Sequence, residues 1–352
     1  MDYKQFFEQL VDTLIAEDGS DIHLSAGRFP AIRVNGELIF LLSKSELVQD
    51  SLEGILKSIL STDSYNRFIK EQNLDFSYEH KSGARLRGNA FVQQGKFVVV
   101  LRLVPHVKTL AELNLPESLA EFARKRQGFF LVVGPVGQGK SATMAAMVSL
   151  INEEKQAHIL TIEDPVEYVY EQKKSIIDQR EVGIDTTDFA DALKSAFRQD
   201  VNVILIGEMR NTETIGTAVT AAETGHLVLS TLHTNTASQT IDRIIDSFPA
   251  EQQDQIRIQL ASSLIGVFSQ RLIPRISGGR IPAYELMINN NAISNLIREK
   301  RTHEIDTVIE TGFEQGMIDM NRSLIELVRR GEITVENAFA YSTSPKNLER
   351  LL

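Results

Sequence analysis

The chain has 352 residues, with 37 Lys and Arg against 47 Asp and Glu, and a formal net charge of −10. Its 42% hydrophobic and 24% charged residues are the composition of a globular protein, and its length asks for two or three domains, or a small module beside a larger one. The absence of cysteine excludes disulfides, thiolate zinc sites, iron–sulfur clusters and thiol nucleophiles, and the acidic balance argues against coating of nucleic acid, so no nucleic-acid partner is expected.

The first ten residues, MDYKQFFEQL, are acidic and amphipathic rather than leader-like, and Phe129 to Val133, the densest apolar run, is far short of the roughly 18 residues that cross a bilayer. A cytoplasmic protein is therefore expected. Phe6, Phe7, Leu10, Val11, Leu14 and Ile15 recur at helical spacing and define one apolar face. Ala31 to Phe40 reads as a hairpin: Ile32 and Val34 alternate before Asn35-Gly36, and Leu38 and Phe40 after it, with both turn residues able to hold positive φ. A helix is expected over Leu47 to Leu60, and strands over Leu74–Tyr78, Arg85–Val92 and Lys96–Val104, with Gly83 and Gly95 in turns. Residues 1–104 thus form an α+β module, and 105–116, which lack periodicity, read as a linker.

Beyond the linker, apolar runs alternate with helical ones. Phe129–Val133 leads to Lys140–Asn152, His158–Ile162 precedes a helix near Phe189–Phe197, Val201–Ile206 leads to Glu213–Glu223, and Leu227–Ser230 leads to Ala237–Ile245. Short runs buried on both faces and joined by helices predict an α/β fold with a doubly wound parallel sheet over 117–352, helical from about Asn291. The basic cluster Arg124-Lys125-Arg126 reads as a solvated helix face.

Gly134-Pro135-Val136-Gly137-Gln138-Gly139-Lys140-Ser141 fits G-x-x-x-x-G-K-S between an apolar strand and a helix that continues through Ala142. Glycines let successive N–H groups curl around a phosphate, and the helix N-terminus adds partial positive charge. Lys140 is expected to bridge phosphate oxygens of ATP, and the Ser141 hydroxyl to ligate Mg²⁺. Gln138 stands where a small residue is commoner. Hydrolysis also needs an acid for the metal and a group that orients water. Two glutamates sit at strand ends: Glu163 after HILTI, and Glu208 after VNVILI and Gly207, where Gly207 occupies the usual place of an aspartate. His226 and His233 flank LVLSTL and are suited to sense a γ-phosphate or to bond between subunits; metal ligation is not expected of them.

These stretches together resemble the type II/IV secretion ATPase superfamily, and within it the PilT/PilU-type retraction motors of type IV pili. The resemblance rests on SDIHLSAGRFPAIRVNGEL, the phosphate loop GPVGQGKSATMAAM, ILTIEDPVEYV, QREVG, FRQDVNVILIGEMRNTET, TAAETGHLVLSTLHTNTASQTIDRIIDSFPA and the late NAISNLIREKRTHEI and GMIDMNRSLIELVRRGEI. It implies a PAS-like N-terminal module followed by a RecA-like ATPase domain. It further implies a hexameric ring at the cytoplasmic face of the inner membrane, driving pilus retraction and twitching motility through an inner-membrane platform protein, and a paralogous retraction or extension ATPase as a further partner. Carried over by position, Glu163 would activate water, Glu208 would hold Mg²⁺ directly or through water, and His226, His233 and Arg210 would belong to the nucleotide site. Arg85 and Arg87, in the family's Arg-x-Arg, would reach a neighbour's nucleotide. Gly88, Val92 and Ser294 depart from the family's pattern, and the final GEITVENAF…NLERLL is reminiscent of the accessory retraction paralogue. The alternatives are an accessory PilU-like retraction ATPase or a weakly hydrolysing regulatory partner of the main motor and, in lower order, a pilus-extension, secretion or DNA-handling ATPase.

Overall fold

The computed structural model describes residues 2–34, 36–104, 106–209 and 211–351, and forms two compact units, Met1–His106 and Val107–Leu352. The first contains α1 (Tyr3–Ala16), β1 (Asp21–Ser25), β2 (Ala31–Val34), β3 (Glu37–Phe40), α2 (Gln49–Ile59), α3 (Thr62–Glu71), β4 (Asn73–Glu79), β5 (Arg85–Gln93) and β6 (Lys96–Leu103). Its strands form an antiparallel sheet in the order β3-β2-β1-β6-β5-β4. Asp2 caps α1 by accepting from Gln5 N at 3.0 Å. Phe6, Phe7, Leu10, Val11 and Leu14 of α1 are buried against Ile22, Leu24, Leu86, Ala90, Val99 and Leu101 of the sheet, whereas Ile15 is exposed, just past the edge of the apolar stripe.

The hairpin expected at Ala31 to Phe40 is present, with Val34 opposite Glu37 and Gly36 at φ +87°, while Asn35 lies outside the described residues. Its second strand is not a buried one. β3 ends the sheet, and its Leu38 and Phe40 are 46% and 56% exposed. Helix α3 escapes a pattern reading because it buries one residue, Phe68. The glycine that departs from the family pattern also has a packing reason. Gly88 pairs with Phe76 across β4 and β5, and a Cβ there would stand 2.2 Å from Phe76 Cζ, so the ring lies over the glycine.

The second unit runs α4 (Ser118–Arg124), β7 (Gly128–Val133), α5 (Lys140–Glu154), β8 (His158–Glu163), β9 (Ile176–Glu181), α6 (Phe189–Ala196), β10 (Val203–Ile206), α7 (Thr212–Glu223), β11 (Leu227–Leu232), α8 (Ala237–Asp246), α9 (Ala250–Ser263), β12 (Leu264–Pro274) and β13 (Arg280–Ile288). Five helices then follow: α10 (Asn291–Arg298), α11 (Ile305–Thr311), α12 (Met320–Arg329), α13 (Val335–Tyr341) and α14 (Pro345–Leu351). The sheet order is β13-β12-β7-β11-β10-β8-β9. It is parallel except at one edge, where β13 folds back antiparallel on β12 from Gly266↔Ile288 to Pro274↔Arg280. That hairpin and β9 go beyond the strands read from the sequence.

All six residues of β7 are buried, because Phe129, Leu131 and Val133 enter one apolar layer while Phe130 and Val132 enter the other. Part of the stretch read as a linker belongs to the second of these layers: Leu115 is buried in it, and Leu110 and Leu113 pack on it. A separate apolar cluster joins Ile273, Ile281 and Ala283 of the β12–β13 hairpin to Met320, Leu324, Ile325, Ala338 and Leu348 of the C-terminal helices. Ser294 is structural here, its hydroxyl donating to Ala261 O at 3.0 Å. Among the described residues, no helix is long and apolar enough to cross a membrane.

Candidate active site

The C-terminal ends of β7, β8, β10 and β11 open onto one cleft of about 540 Å³, the end at which parallel sheets place their ligands. Residues 134–139 leave β7 and feed α5. Gly134, Gly137 and Gly139 have φ of +140°, +75° and +81°, conformations that side chains resist. Gly134 is additionally pinned by a neighbour, since a Cβ there would meet Gln270 O at 2.4 Å. Helix α5 starts at Lys140 after Gly139 with no side chain capping its first turn, so its N–H groups are left for an anion. Val136 and Ser141 are exposed, Pro135, Gln138 and Ala142 half-buried.

Lys140 is only 7% exposed. Its ammonium donates to Gly134 O at 2.8 Å and Pro135 O at 2.9 Å, and lies 3.2 Å from His233 Nδ1. Burial lowers its pKa, against the opposing charges of Glu208 and Glu167. An ammonium can only donate, so His233 Nδ1 accepts, and the neutral ring's proton then sits on Nε2, 3.6 Å from Glu208 Oε2. One imidazole thus links the lysine of the glycine loop to the acid of β10.

Glu163 ends β8 and is 8% exposed. Burial raises its pKa, and hydrogen bonds from Thr161 Oγ1 at 2.7 Å and Gln179 Nε2 at 3.3 Å to Oε1 work against that rise. A buried carboxyl held in place by two donors is suited to take a proton from water. Gly207 follows β10 at the level of Glu163, and a Cβ on it would be 3.4 Å from Glu163 Cα. An aspartate at 207 would set a second carboxylate against Glu163; in this chain the acid stands one residue later, at Glu208.

The structure therefore brings Val136 to Ala142, Glu163, Glu208 and His233 together in one cleft, with Gly134 and Pro135 tied to it through their carbonyls on Lys140. His226 is not among them. It precedes β11 while His233 follows it, and the six residues of that strand, at about 3.3 Å each, separate the two by about 20 Å. His226 Nδ1 instead contacts Ala221 O at 3.0 Å, and its ring meets Phe197 edge-on. Arg210 lies outside the described residues. Arg85 and Arg87 lie on β5 of the first unit, on the sheet face opposite its helices, where Arg87 stands in register with Arg102 and Arg102 with Asp21. Arg102 Nε donates to Asp21 at 2.9 Å, so that face carries a row of arginines around one acid.

Sequence reasoning carried Thr161 and Gln179 inside ILTIEDPVEYV and QREVG without a role, and did not find Gln270 or Glu285. Glu285 on β13 is buried and accepts from Ala237 N at 2.8 Å, which fixes the start of α8 just after the loop that carries His233. Its carboxyl is pushed up to about 7, first by burial and then by Asp306 and Asp319, against the Ala237 N–H and Arg271.

A glycine loop between strand and helix, a lysine inside it and two acids at adjacent strand ends define a P-loop ATPase with a RecA-like sheet. The chain belongs to the type II/IV secretion system protein family, whose model matches residues 4–280. It is 44% identical over 332 residues to the type IV pilus retractation ATPase PilT of Pseudomonas aeruginosa, covering 94% of this chain and 96% of that protein. It is 36% identical over 348 residues to the type IV pilus ATPase PilU of the same organism, covering 98% and 91%. A crystal structure of the pilus retraction motor PilT with bound ADP superposes with a TM-score of 0.89 at 45% identity, over 97% of this chain and 98% of that one.

Proposed function

We propose that this chain is a motor for type IV pilus retraction: a homo-hexameric ring at the cytoplasmic face of the inner membrane that hydrolyses Mg-ATP and acts on the pilus through a platform protein there. The observation that carries the reading is the line Lys140–His233–Glu208 beside buried Glu163, in a chain similar over nearly its whole length to a pilus retraction ATPase. Lys140, resting on two loop carbonyls, would exchange them for β- and γ-phosphate oxygens. His233, touching both Lys140 and Glu208, would register that exchange and pass it to β10. Glu163 would orient the attacking water and take its proton.

Ser141 and Glu208 supply the hard oxygen donors that suit Mg²⁺. Among the described residues no three His, Cys, Asp or Glu gather into a group that could hold a metal ion, so phosphate and water would have to complete the shell of a bound Mg²⁺. When bound, the ion would neutralise phosphate charge. Arg85 and Arg87 of an adjoining copy, and Arg210, would add cations to the γ-phosphate, and His226 would act away from the phosphates. Residues 1–104 would be the moving module, 105–116 its connection and 117–352 the ATPase domain.

The test is retraction itself. Cells whose only copy carries Lys140→Ala should extend pili and fail to withdraw them; retraction at the wild-type rate would overturn the proposal. The similarity to PilU favours one second reading, an accessory ATPase, and a chain that hydrolyses ATP slowly alone and fast beside a paralogue would point there.

A further inference from the structure

Residue 138 sits between Gly137 and Gly139, both at positive φ, in the most permissive stretch of the loop backbone. Its side chain is nevertheless fixed. Gln138 Oε1 accepts from Leu272 N at 2.6 Å, and Gln138 O accepts from Gln270 Nε2 at 2.9 Å. The Gln270 amide is oriented in turn, because its Oε1 accepts from Thr143 Oγ1 at 2.6 Å in the first turn of α5.

The reason lies in the sheet. The ladder between β7 and β12 ends at Val133↔Ser269, where β7 turns away into the glycine loop. Past that point β12 has lost its neighbour on that side. Leu272 stands opposite Pro282 of β13, which has no N–H to exchange, and the Leu272 N–H points back toward the glycine loop. Gln138 fills the place that a continuing strand would take. The strand it grips also carries the C-terminal helices: Arg271 Nη1 donates to Tyr341 O at 3.0 Å, and Ile273 joins the apolar cluster of α12 to α14.

We infer that Gln138 is a positioning residue for ATP binding: its amide splints the phosphate loop to β12 and holds residues 137–139 ready for the β-phosphate before nucleotide arrives. This deepens the ATPase reading and rests on it. A short residue at 138 leaves a Gly-x-Gly segment to be ordered by the nucleotide itself, and that ordering weakens binding.

The test compares wild type, Gln138→Met, which keeps the length and loses the acceptor, and Gln138→Glu, which keeps an acceptor. In Gln138→Met, nucleotide-free hydrogen exchange at the Leu272 amide should speed up about tenfold, and the ATP KM should rise about fivefold to tenfold, more than kcat falls. Gln138→Glu should keep Leu272 protected. Faster exchange without a KM change would make the splint structural only, and a KM change without faster exchange would make Gln138 a phosphate contact. Either result overturns the inference, as does no change in both. The exchange arm needs no hydrolysis, so a chain without ATPase activity would defeat the ATPase reading while leaving the splint to be judged.

Discussion

Glu285 gives the prediction whose size can be worked most directly. Its carboxyl titrates near 7 in the fold against an ordinary 4.5. The folded state therefore keeps its proton to higher pH than the unfolded chain. Stability from this group is complete below about pH 4.5, falls as the pH rises between the two values and levels off above about 7; at about 1.4 kcal/mol per pH unit the loss is about 3 kcal/mol. Glu285→Gln keeps an oxygen for the Ala237 N–H and cannot ionise. Any cost of burying the new NH₂ is the same at every pH, so the readout is the change in the gap between variant and wild type. From pH 5 to pH 8 the variant should gain about 2–3 kcal/mol on wild type, or roughly 5–10 °C in Tm for a unit of this size. Thermal unfolding of the full chain at both pH values measures it. A gap that stays constant would mean that Glu285 ionises normally, and the account of it as a carboxyl kept protonated by burial at the start of α8 would fail.

If Glu163 takes the proton of the attacking water as proposed, Glu163→Gln should lower kcat for ATP by about 10²–10⁴ with little effect on KM, because an amide cannot act as a base. In wild type the acid limb of kcat should lie above the ordinary carboxylate range, because burial raises this group and protonation removes the base; a pH profile checks both points. Gly134→Ala should destabilise the ATPase unit by about 3 kcal/mol or more in denaturant unfolding, because the new Cβ meets Gln270 O at 2.4 Å on a backbone at φ +140°. Gly88→Val should cost the first unit about 1–3 kcal/mol by displacing the Phe76 ring, and most of that cost should vanish in a Phe76→Ala background.

The chemistry of the cleft was legible in the sequence where it is local. The phosphate loop is contiguous, and strand-end acids advertise themselves by following apolar runs, so Lys140, Glu163 and Glu208 could be picked without a fold. The spacing of the two histidines was equally readable, since a six-residue strand between them places His226 and His233 at opposite ends of the sheet. What sets the groups in place was not readable. Gln270 meets Thr143 across 127 residues, and Glu285 meets Ala237 across 48, contacts that no local pattern encodes. β3 and β9 were hard to weigh for another reason: they are sheet edges, where Phe40 and Ile176 are exposed and apolar residues no longer report a buried face.

The central claim is that one lysine in a glycine loop grips triphosphate and that copies of this chain complete each other's sites. Steady-state Mg-ATP hydrolysis by purified wild type and Lys140→Ala, each with its mass in solution, tests it most directly. The account predicts a six-copy assembly in both and turnover at least about 100-fold slower in the variant. Equal turnover in the two, or wild-type turnover by a single copy, would contradict it.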